Sequence, residues 1–138
     1  MSNLAGFLKP LYTEAKQEVV ISDRFVDEEG KPLPFILRSL TQERIRDITK
    51  HSNREKIVNG KKTLELDSDL FISRCLVESC IQPNFKEKDI CDQYGTIDPL
   101  EVPQKMLLIG EYNKLGQAFM ELNGLNSGEF DLGEVSKN

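Results

Sequence analysis

The sequence contains no tryptophan, one histidine and three cysteines. Because Cys75, Cys80 and Cys91 are odd in number and form no CxxC pair, they argue against a disulfide scaffold and against a zinc site. We therefore expect buried free thiols in a reducing compartment. The histidine, His51, has no nucleophile at a recognisable motif spacing, so it does not indicate a catalytic triad.

Long apolar runs are also missing. No run approaches the roughly 18 residues that a membrane-spanning helix needs. The first residues do not show the basic start and apolar core of a signal peptide, so we expect a soluble protein of the cytoplasm. Apolar residues make up 38% of the 138 residues, below the usual range of about 45–50%. This low fraction predicts a thin core and some dependence on a partner.

Nucleotide-binding and calcium-binding motifs are not found either. Residues 109–124, IGEYNKLGQAFMELNG, hold three glycines but lack the lysine and hydroxyl of a Walker A loop and the GxGxxG spacing of a dinucleotide site. The acidic stretch DEEG at residues 27–30 does not have EF-hand spacing. We expect no catalytic residues, no cofactor site and no metal site, and therefore a protein that is not an enzyme.

Charge is unevenly distributed along the chain. The formal net charge is −5, which argues against general nucleic-acid or membrane binding. The stretch from Thr41 to Lys62, however, contains seven Lys or Arg residues and only three Asp or Glu residues. This run leaves open an alternative function, a small regulatory protein that binds nucleic acid through the basic 44–62 face. The run has no interleaved aromatic residues for base stacking, so nucleic acid is the less favoured partner.

The N-terminal half shows strand and turn signals after a short helical turn at residues 3–8. Residues 17–25 are rich in β-branched residues, and residues 33–40 alternate apolar and other side chains, which predicts two strands in a hairpin. Pro34 cannot donate to a ladder, so it should lie at an edge or at the strand start. Thr41 is positioned to cap a helix that begins at Gln42. The following Asn59-Gly60 is compatible with a second hairpin or with a mobile loop.

The C-terminal half is predicted to be helical. One helix is capped by Asp67 or Ser68 and ends before Pro83, and a short helix is closed by Gly95. Another helix runs from Pro99 or Pro103 to residue 108. Together the elements predict an α+β fold, with an N-terminal antiparallel hairpin or small sheet packed with about four to five helices. We expect a single domain over residues 1–125, followed by a flexible acidic tail, residues 126–138.

The last predicted helix carries an apolar stripe. Its members step by four and three residues along the chain: Leu108, Tyr112, Leu115, Phe119 and Leu122. Gly124 is placed to stop this helix, and Gly110 to mark a break before it. Gly116 lies beside the stripe, where an interior glycine costs about 1 kcal/mol relative to alanine. The stripe fits either a helix contact within the domain, which we favour, or the docking of a partner helix.

The chain as a whole resembles the XkdN-like tail assembly chaperones of contractile-tailed phages and defective prophages of Gram-positive bacteria. The resemblance covers about residues 4–125. It is carried by the order and spacing of an early FL, EVVISDRFVDEEGKPLPFILRSLTQE, CIQPNF, YGTIDPLEVPQKMLLIGEY and LGQAFMELNGL. Pro103 and Gly116 depart from the family's pattern and leave the continuity of the last two helices open.

The resemblance implies a non-enzymatic role. Such proteins bind the long helical tape measure protein, keep it soluble and help tail-tube subunits to assemble around it. They act in the cytoplasm of the bacterial host and are generally absent from the finished virion. The resemblance also implies a longer form of the chain made by programmed frameshifting. It specifies neither an oligomeric state nor a set of binding residues.

A chaperone for an apolar helical partner needs exposed apolar surface. The last helix is one candidate, and the acidic tail is able to shield its stripe until the partner arrives. The candidate partner-binding residues are therefore Tyr112, Leu115, Phe119, Leu122, Phe130 and Leu132.

Overall fold

A computed structural model describes residues 3–125 of the chain. Over this range the fold has six helices: α1 (Leu4–Leu8), α2 (Gln42–Lys50), α3 (Ser68–Ser79), α4 (Lys88–Gln93), α5 (Val102–Met106) and α6 (Ile109–Leu122). A 3-10 turn, Pro99–Glu101, precedes α5 directly. Five strands complete the fold: β1 (Lys16–Val19), β2 (Phe35–Arg38), β3 (Asn53–Val58), β4 (Lys61–Leu66) and β5 (Cys80–Gln82). The predicted α+β class is confirmed. The predicted tail, residues 126–138, lies outside the described residues.

The predicted N-terminal hairpin forms the first two strands of a three-stranded antiparallel sheet with the order β1-β2-β5. Both strands are shorter than predicted, because β1 pairs with β2 over four residues only. Beyond β1 the hairpin closes through a single bridge between Val26 and Pro32. Pro34 stands just before β2, at the strand start as predicted, where its missing N–H is harmless. Phe35 and Leu37 are buried, so the alternating pattern of this strand is confirmed.

The third strand of the sheet was not predicted. Helix α3 ends at Ser79, and Cys80 to Gln82 then pair with β2 before Pro83 is reached. The pattern of apolar residues in α3 continues through Cys80, so periodicity alone places this segment in the helix. Pairing with β2, which is distant in sequence, decides the outcome.

Local signals at helix ends and turns are confirmed. The Thr41 hydroxyl accepts a hydrogen bond from the N–H of Arg44, and the Asp67 carboxylate accepts one from the N–H of Leu70. Asn59 and Gly60 both have positive φ, 53° and 76°, and connect β3 to β4. These are the angles of the hairpin turn that Asn-Gly favours. The second hairpin therefore forms, and the alternative of a loop is wrong.

The break between the last two helices lies at Leu107 and Leu108, not at Gly110. Leu107 has an extended backbone, and Leu108 is the residue that caps α6. The prediction for Gly110 is therefore wrong by two residues, since this glycine lies within the first turn of α6. Leu108 is largely exposed and does not belong to the buried face, so its assignment to the stripe is also wrong.

One continuous core fills the space between the three-stranded sheet, α3 and α6. Its completely buried large side chains come from all three: Leu37, Phe71, Leu76, Leu115 and Phe119. The loop residue Phe85 is buried with them. The three cysteines are buried free thiols, as predicted. Since residues distant in sequence meet here, the core fixes α6 across both α3 and the sheet.

An ion pair between Arg24 and Glu111 holds the start of α6. The Arg24 guanidinium donates two hydrogen bonds to the Glu111 carboxylate, at 2.6 and 2.8 Å. The same carboxylate accepts from the N–H of Leu108 at 2.8 Å, which caps the helix. Arg24 also donates to the Met106 carbonyl at 3.0 Å, at the end of α5. One pair thus orients α6, caps it and ties it to the preceding helix.

The Arg24 guanidinium lowers the pKa of Glu111 from 4.5 to about 2. A carboxyl whose pKa is lowered by folding stabilises the fold above its unfolded pKa, and this contribution is lost as the pH falls toward the folded value. We expect Glu111→Gln to cost about 2 kcal/mol at pH 7, as for a hydrogen bond to a charged group. The melting temperature of the variant should also fall less than that of the wild type between pH 4.5 and pH 2. Parallel pH profiles for the two proteins would contradict this role.

Gly116 has no close neighbour within residues 3–125: a Cβ added to it meets no heavy atom within 4 Å. We expect Gly116→Ala to stabilise the protein by about 0.5–1 kcal/mol, because alanine has the higher helix propensity. The melting temperature should rise by about 2–4 °C. The matched control is Gly124→Ala, which should destabilise because φ at Gly124 is +67°. A lower melting temperature for Gly116→Ala would show that its flank is occupied.

Candidate protein-binding site

The described residues show few features of a reactive centre. Burial raises the pKa of the Cys75 and Cys80 thiols to about 12, which makes both poor nucleophiles. His51 is exposed at the end of α2, and its Nδ1 lies 2.8 Å from the Asp47 carbonyl oxygen. Within residues 3–125, no three His, Cys, Asp or Glu side chains are grouped as a metal site. None of the helices there combines the length and apolarity of a membrane span.

The apolar stripe of α6 faces the interior of the domain. Leu115 and Phe119 are both 0% exposed and contribute to the core. Tyr112 and Leu122 are half-buried against the same core. This arrangement agrees with the favoured alternative from the sequence, in which the stripe makes a helix contact within the domain. Of the four candidate binding residues on α6, only Tyr112 and Leu122 are accessible to a partner in this conformation of the helix.

Two polar neighbours hold Tyr112 in place. Its hydroxyl lies 3.2 Å from the Ser73 hydroxyl of α3 and accepts a hydrogen bond from the Gln104 amide, also at 3.2 Å. The ring therefore bridges α3, α5 and α6. The binding of a partner through the α6 residues stays a prediction. The other two candidates, Phe130 and Leu132, lie outside the described residues.

The N-terminal segment, residues 4–12, exposes apolar side chains to solvent, a feature that the sequence reasoning missed. Phe7 is 81% exposed and Leu11 is 100% exposed, and Leu8 and Tyr12 are also largely exposed. Helix α1 buries none of its residues. A five-residue helix has little intrinsic stability, so its conformation depends on what it contacts. Several neighbouring apolar side chains at the surface are typical of a protein-interaction site.

The sequence does contain a signal for this segment. Residues 4–12, LAGFLKPLY, carry a single charged side chain, Lys9, among six apolar ones. Pro10 prevents the helix from continuing, and β1 starts only at Lys16. A segment that is apolar on all sides, and is too short to form a core of its own, either enters the core or offers its surface to another molecule.

The ribbon formed by β3 and β4 is exposed along most of its length. Ile57 and Leu64 lie on one face of it and are mostly exposed. On the other face, Arg54 and Lys56 pair with Glu65, at 3.5 and 3.2 Å. The ribbon therefore combines one partly apolar face with one charged face.

The basic 44–62 face carries less unpaired charge than the sequence suggested. Arg54 and Lys56 share the carboxylate of Glu65, which lies outside the basic run. Arg44 pairs with Asp47 at 3.2 Å and with Glu78 of α3 at 2.5 Å. Phosphate binding depends on unpaired cations, so these pairs weaken the case for a nucleic-acid surface. The nucleic-acid alternative stays a prediction.

Comparison with known proteins connects this fold to tail assembly. A family model described as phage XkdN-like tail assembly chaperone protein matches residues 4–136. The protein YqbN of Bacillus subtilis strain 168 is 40% identical over 99% of this chain and 93% of its own length. Phage-like element PBSX protein XkdN of the same strain is 39% identical, over 99% of this chain and 94% of its own. A crystal structure of YqbN superposes with a TM-score of 0.72 at 36% identity, over 87% of this chain and 95% of that one.

Phe119 in the core and Phe7 at the surface are a matched pair of residues for testing which part of the chain stabilises the fold. We expect Phe119→Ala to lower the free energy of unfolding by about 3–5 kcal/mol, because it leaves a cavity in the core. Phe7→Ala should change it by less than about 0.5 kcal/mol, because Phe7 is mostly in solvent. Urea denaturation followed by circular dichroism measures both values. Equal losses for the two variants would mean that α1 packs on the domain.

Proposed function

The chain belongs to the family of phage XkdN-like tail assembly chaperones, and on this basis we propose that it binds the tape measure protein of its own phage and keeps it soluble. In this role it assists the assembly of tail-tube subunits around the tape measure protein. It acts in the cytoplasm of the bacterial host, without catalysis, and does not remain in the mature virion. A longer, frameshifted form of the chain is a further partner in the proposed scheme.

The exposed apolar side chains of residues 4–12 are the observation that carries this proposal. An apolar helical partner needs a surface that removes its side chains from water, and each buried methylene contributes about 0.8 kcal/mol. Phe7, Leu8, Leu11 and Tyr12 supply such a surface without any change in the core. The stripe of α6 supplies less, since Leu115 and Phe119 are already buried.

The segment is held to the domain next to a hydrogen-bonded pair of residues. The N–H of Ala15 donates to the Ser39 hydroxyl, and the N–H of Ser39 donates to the Ala15 carbonyl, both at 2.8 Å. Residues 4–12 therefore extend from a fixed point at the edge of the three-stranded sheet. In the proposed complex this segment lies along the tape measure protein while the domain keeps its fold. Tyr112, Leu122, Phe130 and Leu132 are a second proposed contact.

Coexpression with the tape measure protein tests the proposal. We expect the wild-type chain to increase the soluble fraction of the tape measure protein at least fivefold. The combined change Phe7→Ser, Leu8→Ser and Leu11→Ser should remove most of this increase, because it replaces exposed apolar contacts by polar ones. The matched control is Ile57→Ser with Leu64→Ser, which changes exposed apolar residues on the ribbon. Circular dichroism checks that both variants are folded.

Several outcomes would count against the proposal. A tape measure protein that stays insoluble beside the wild-type chain contradicts the chaperone function itself. If the tape measure protein stays fully soluble beside the variant with the changed N-terminal segment, residues 4–12 are not the interface. If its soluble fraction falls with the Ile57→Ser, Leu64→Ser variant, the ribbon is part of the interface. If the wild-type chain is retained on DNA and this retention decreases as the salt concentration rises, the result would support the regulatory alternative instead.

A further inference from the structure

A cleft of about 250 Å³ lies between α2, α3 and the 3-10 turn. Two arginines and one lysine line it: Arg44, Arg74 and Lys86. Two carboxylates, Asp47 and Glu78, stand against them. Positive charge is therefore in excess in this cleft, although the chain as a whole has a net charge of −5.

Both carboxylates are already paired with other cations. Glu78 contacts Arg44 at 2.5 Å and Lys86 at 3.4 Å, and it also lies 3.6 Å from Arg38, beside the cleft. Asp47 contacts Arg44 at 3.2 Å. Neither carboxylate pairs with Arg74 in the part of the chain that the structure describes.

Among residues 3–125, Arg74 is the cation of the cleft that has no ion-pair partner. Its side chain is half-buried on α3, and its Nε atom is buried without a hydrogen-bond acceptor among residues 3–125. A buried donor that is left unpaired is unfavourable, and buried donors in proteins are nearly always paired with an acceptor. The planar guanidinium fork matches a carboxylate, which accepts two parallel hydrogen bonds from it.

We propose that the acidic C-terminal segment of this chain, residues 126–138, docks in the cleft and places a carboxylate on Arg74. The segment carries three acids, Glu129, Asp131 and Glu134, against one lysine. Its charge is therefore complementary to that of the cleft. In the free protein, Phe130 and Leu132, which alternate with these acids, match the apolar parts of the cleft wall, which Ile48, Val77 and Leu100 supply.

The position at which the described chain ends supports the C-terminal segment as the occupant of the cleft. Asn123, which follows α6, accepts a hydrogen bond through its side-chain oxygen from the N–H of Leu40, at 2.8 Å. Leu40 stands two residues before α2, whose third residue is Arg44. The segment thus starts beside the helix that forms one wall of the cleft. An extended chain advances about 3.4 Å per residue, so the nine steps from Leu125 to Glu134 span roughly 30 Å. The length of α2 from Gln42 to Lys50 is only about 14 Å.

Docking of the segment has a direct consequence for the free protein. The cleft is occupied by the chain's own carboxylates, and another acidic molecule enters only by displacing them. The proposed contacts, between Arg74 and the chain's own carboxylates, lie within one chain and do not involve the partner in tail assembly.

Carbodiimide crosslinking of the full chain tests this inference. The reagent joins carboxylates to lysine amines, and mass spectrometry identifies the joined peptides. We expect the carboxylates of residues 129, 131 and 134 to couple to Lys86 in the cleft, at least fivefold more than to Lys114. Lys114 is exposed on α6 and near the start of the segment, so an undocked segment would reach it easily.

Arg74→Gln should lower the coupling to Lys86 about fivefold without removing any reactive group. Arg46→Gln, which makes the same charge change on the exposed side of α2, is the matched control and should have no effect. If Arg74→Gln does not fold, the wild type at 0.5 M salt replaces it, because added salt screens the attraction and should lower the same yield. A mixture of 14N and 15N protein shows whether coupling occurs within one chain.

Four results would overturn the inference. Equal coupling to Lys86 and Lys114 would show that the segment does not dock, and an unchanged yield in Arg74→Gln would exclude the guanidinium as its site. Coupling mainly between 14N and 15N chains would assign the cleft to a second copy. Displacement of the segment by a single-stranded oligonucleotide, but not by a glutamate-rich peptide, would assign it to phosphate groups.

Discussion

The ion pair between Arg24 and Glu111 is the interaction on which the arrangement of this domain depends. It joins the loop after β1 to the start of α6, across 87 positions of sequence. A single carboxylate caps α6, fixes the guanidinium and, through it, the carbonyl end of α5. Helix α6 contributes Leu115 and Phe119 to the core, so a helix start displaced by a fraction of a turn would turn these residues away from α3 and the sheet. A partly buried ion pair is well suited to this task because it is directional, whereas apolar packing is not.

The use of α6 for the core has a functional consequence. Leu115 and Phe119 of α6 are completely buried, so both are committed to the core. Exposed apolar surface therefore has to come from a segment that the core can spare. Residues 4–12 meet this condition, since they precede β1 and α1 buries no side chain. The domain thus separates stability, which resides in the sheet, α3 and α6, from the surface proposed for the tape measure protein.

The elements specified by neighbouring residues could be predicted from the sequence, whereas those specified by distant residues could not. Thr41 and Asp67 cap their helices, and Asn59-Gly60 turns a hairpin, because each acts within about four residues. Strand β5 was missed because only its pairing with β2 distinguishes it from a further turn of α3. The stripe of α6 was recognised, but periodicity shows that a face is buried and not which molecule buries it.

The candidate site was harder to predict than the fold. Phe7 and Leu11 are apolar residues like those of the core, and their exposure follows from where the rest of the chain goes. The excess charge at Arg74 has the same origin, since the cleft collects side chains from α2, α3 and the segments after them. The cations of the cleft alone are separated by up to 42 positions in the sequence, from Arg44 to Lys86. The resemblance to a known family indicated a function but specified no binding residues.

The residue just before β1 and the residue just after α6 are held by neighbouring positions of the chain. Ala15, which precedes β1, is hydrogen-bonded to Ser39, and Asn123, which follows α6, is hydrogen-bonded to Leu40. Ala15 and Asn123 therefore lie close together in space, and a domain whose ends are close commonly tolerates circular permutation. A short linker joining residue 125 to residue 15, with new ends opened at Asn59-Gly60, would leave every strand pair of the three-stranded sheet intact.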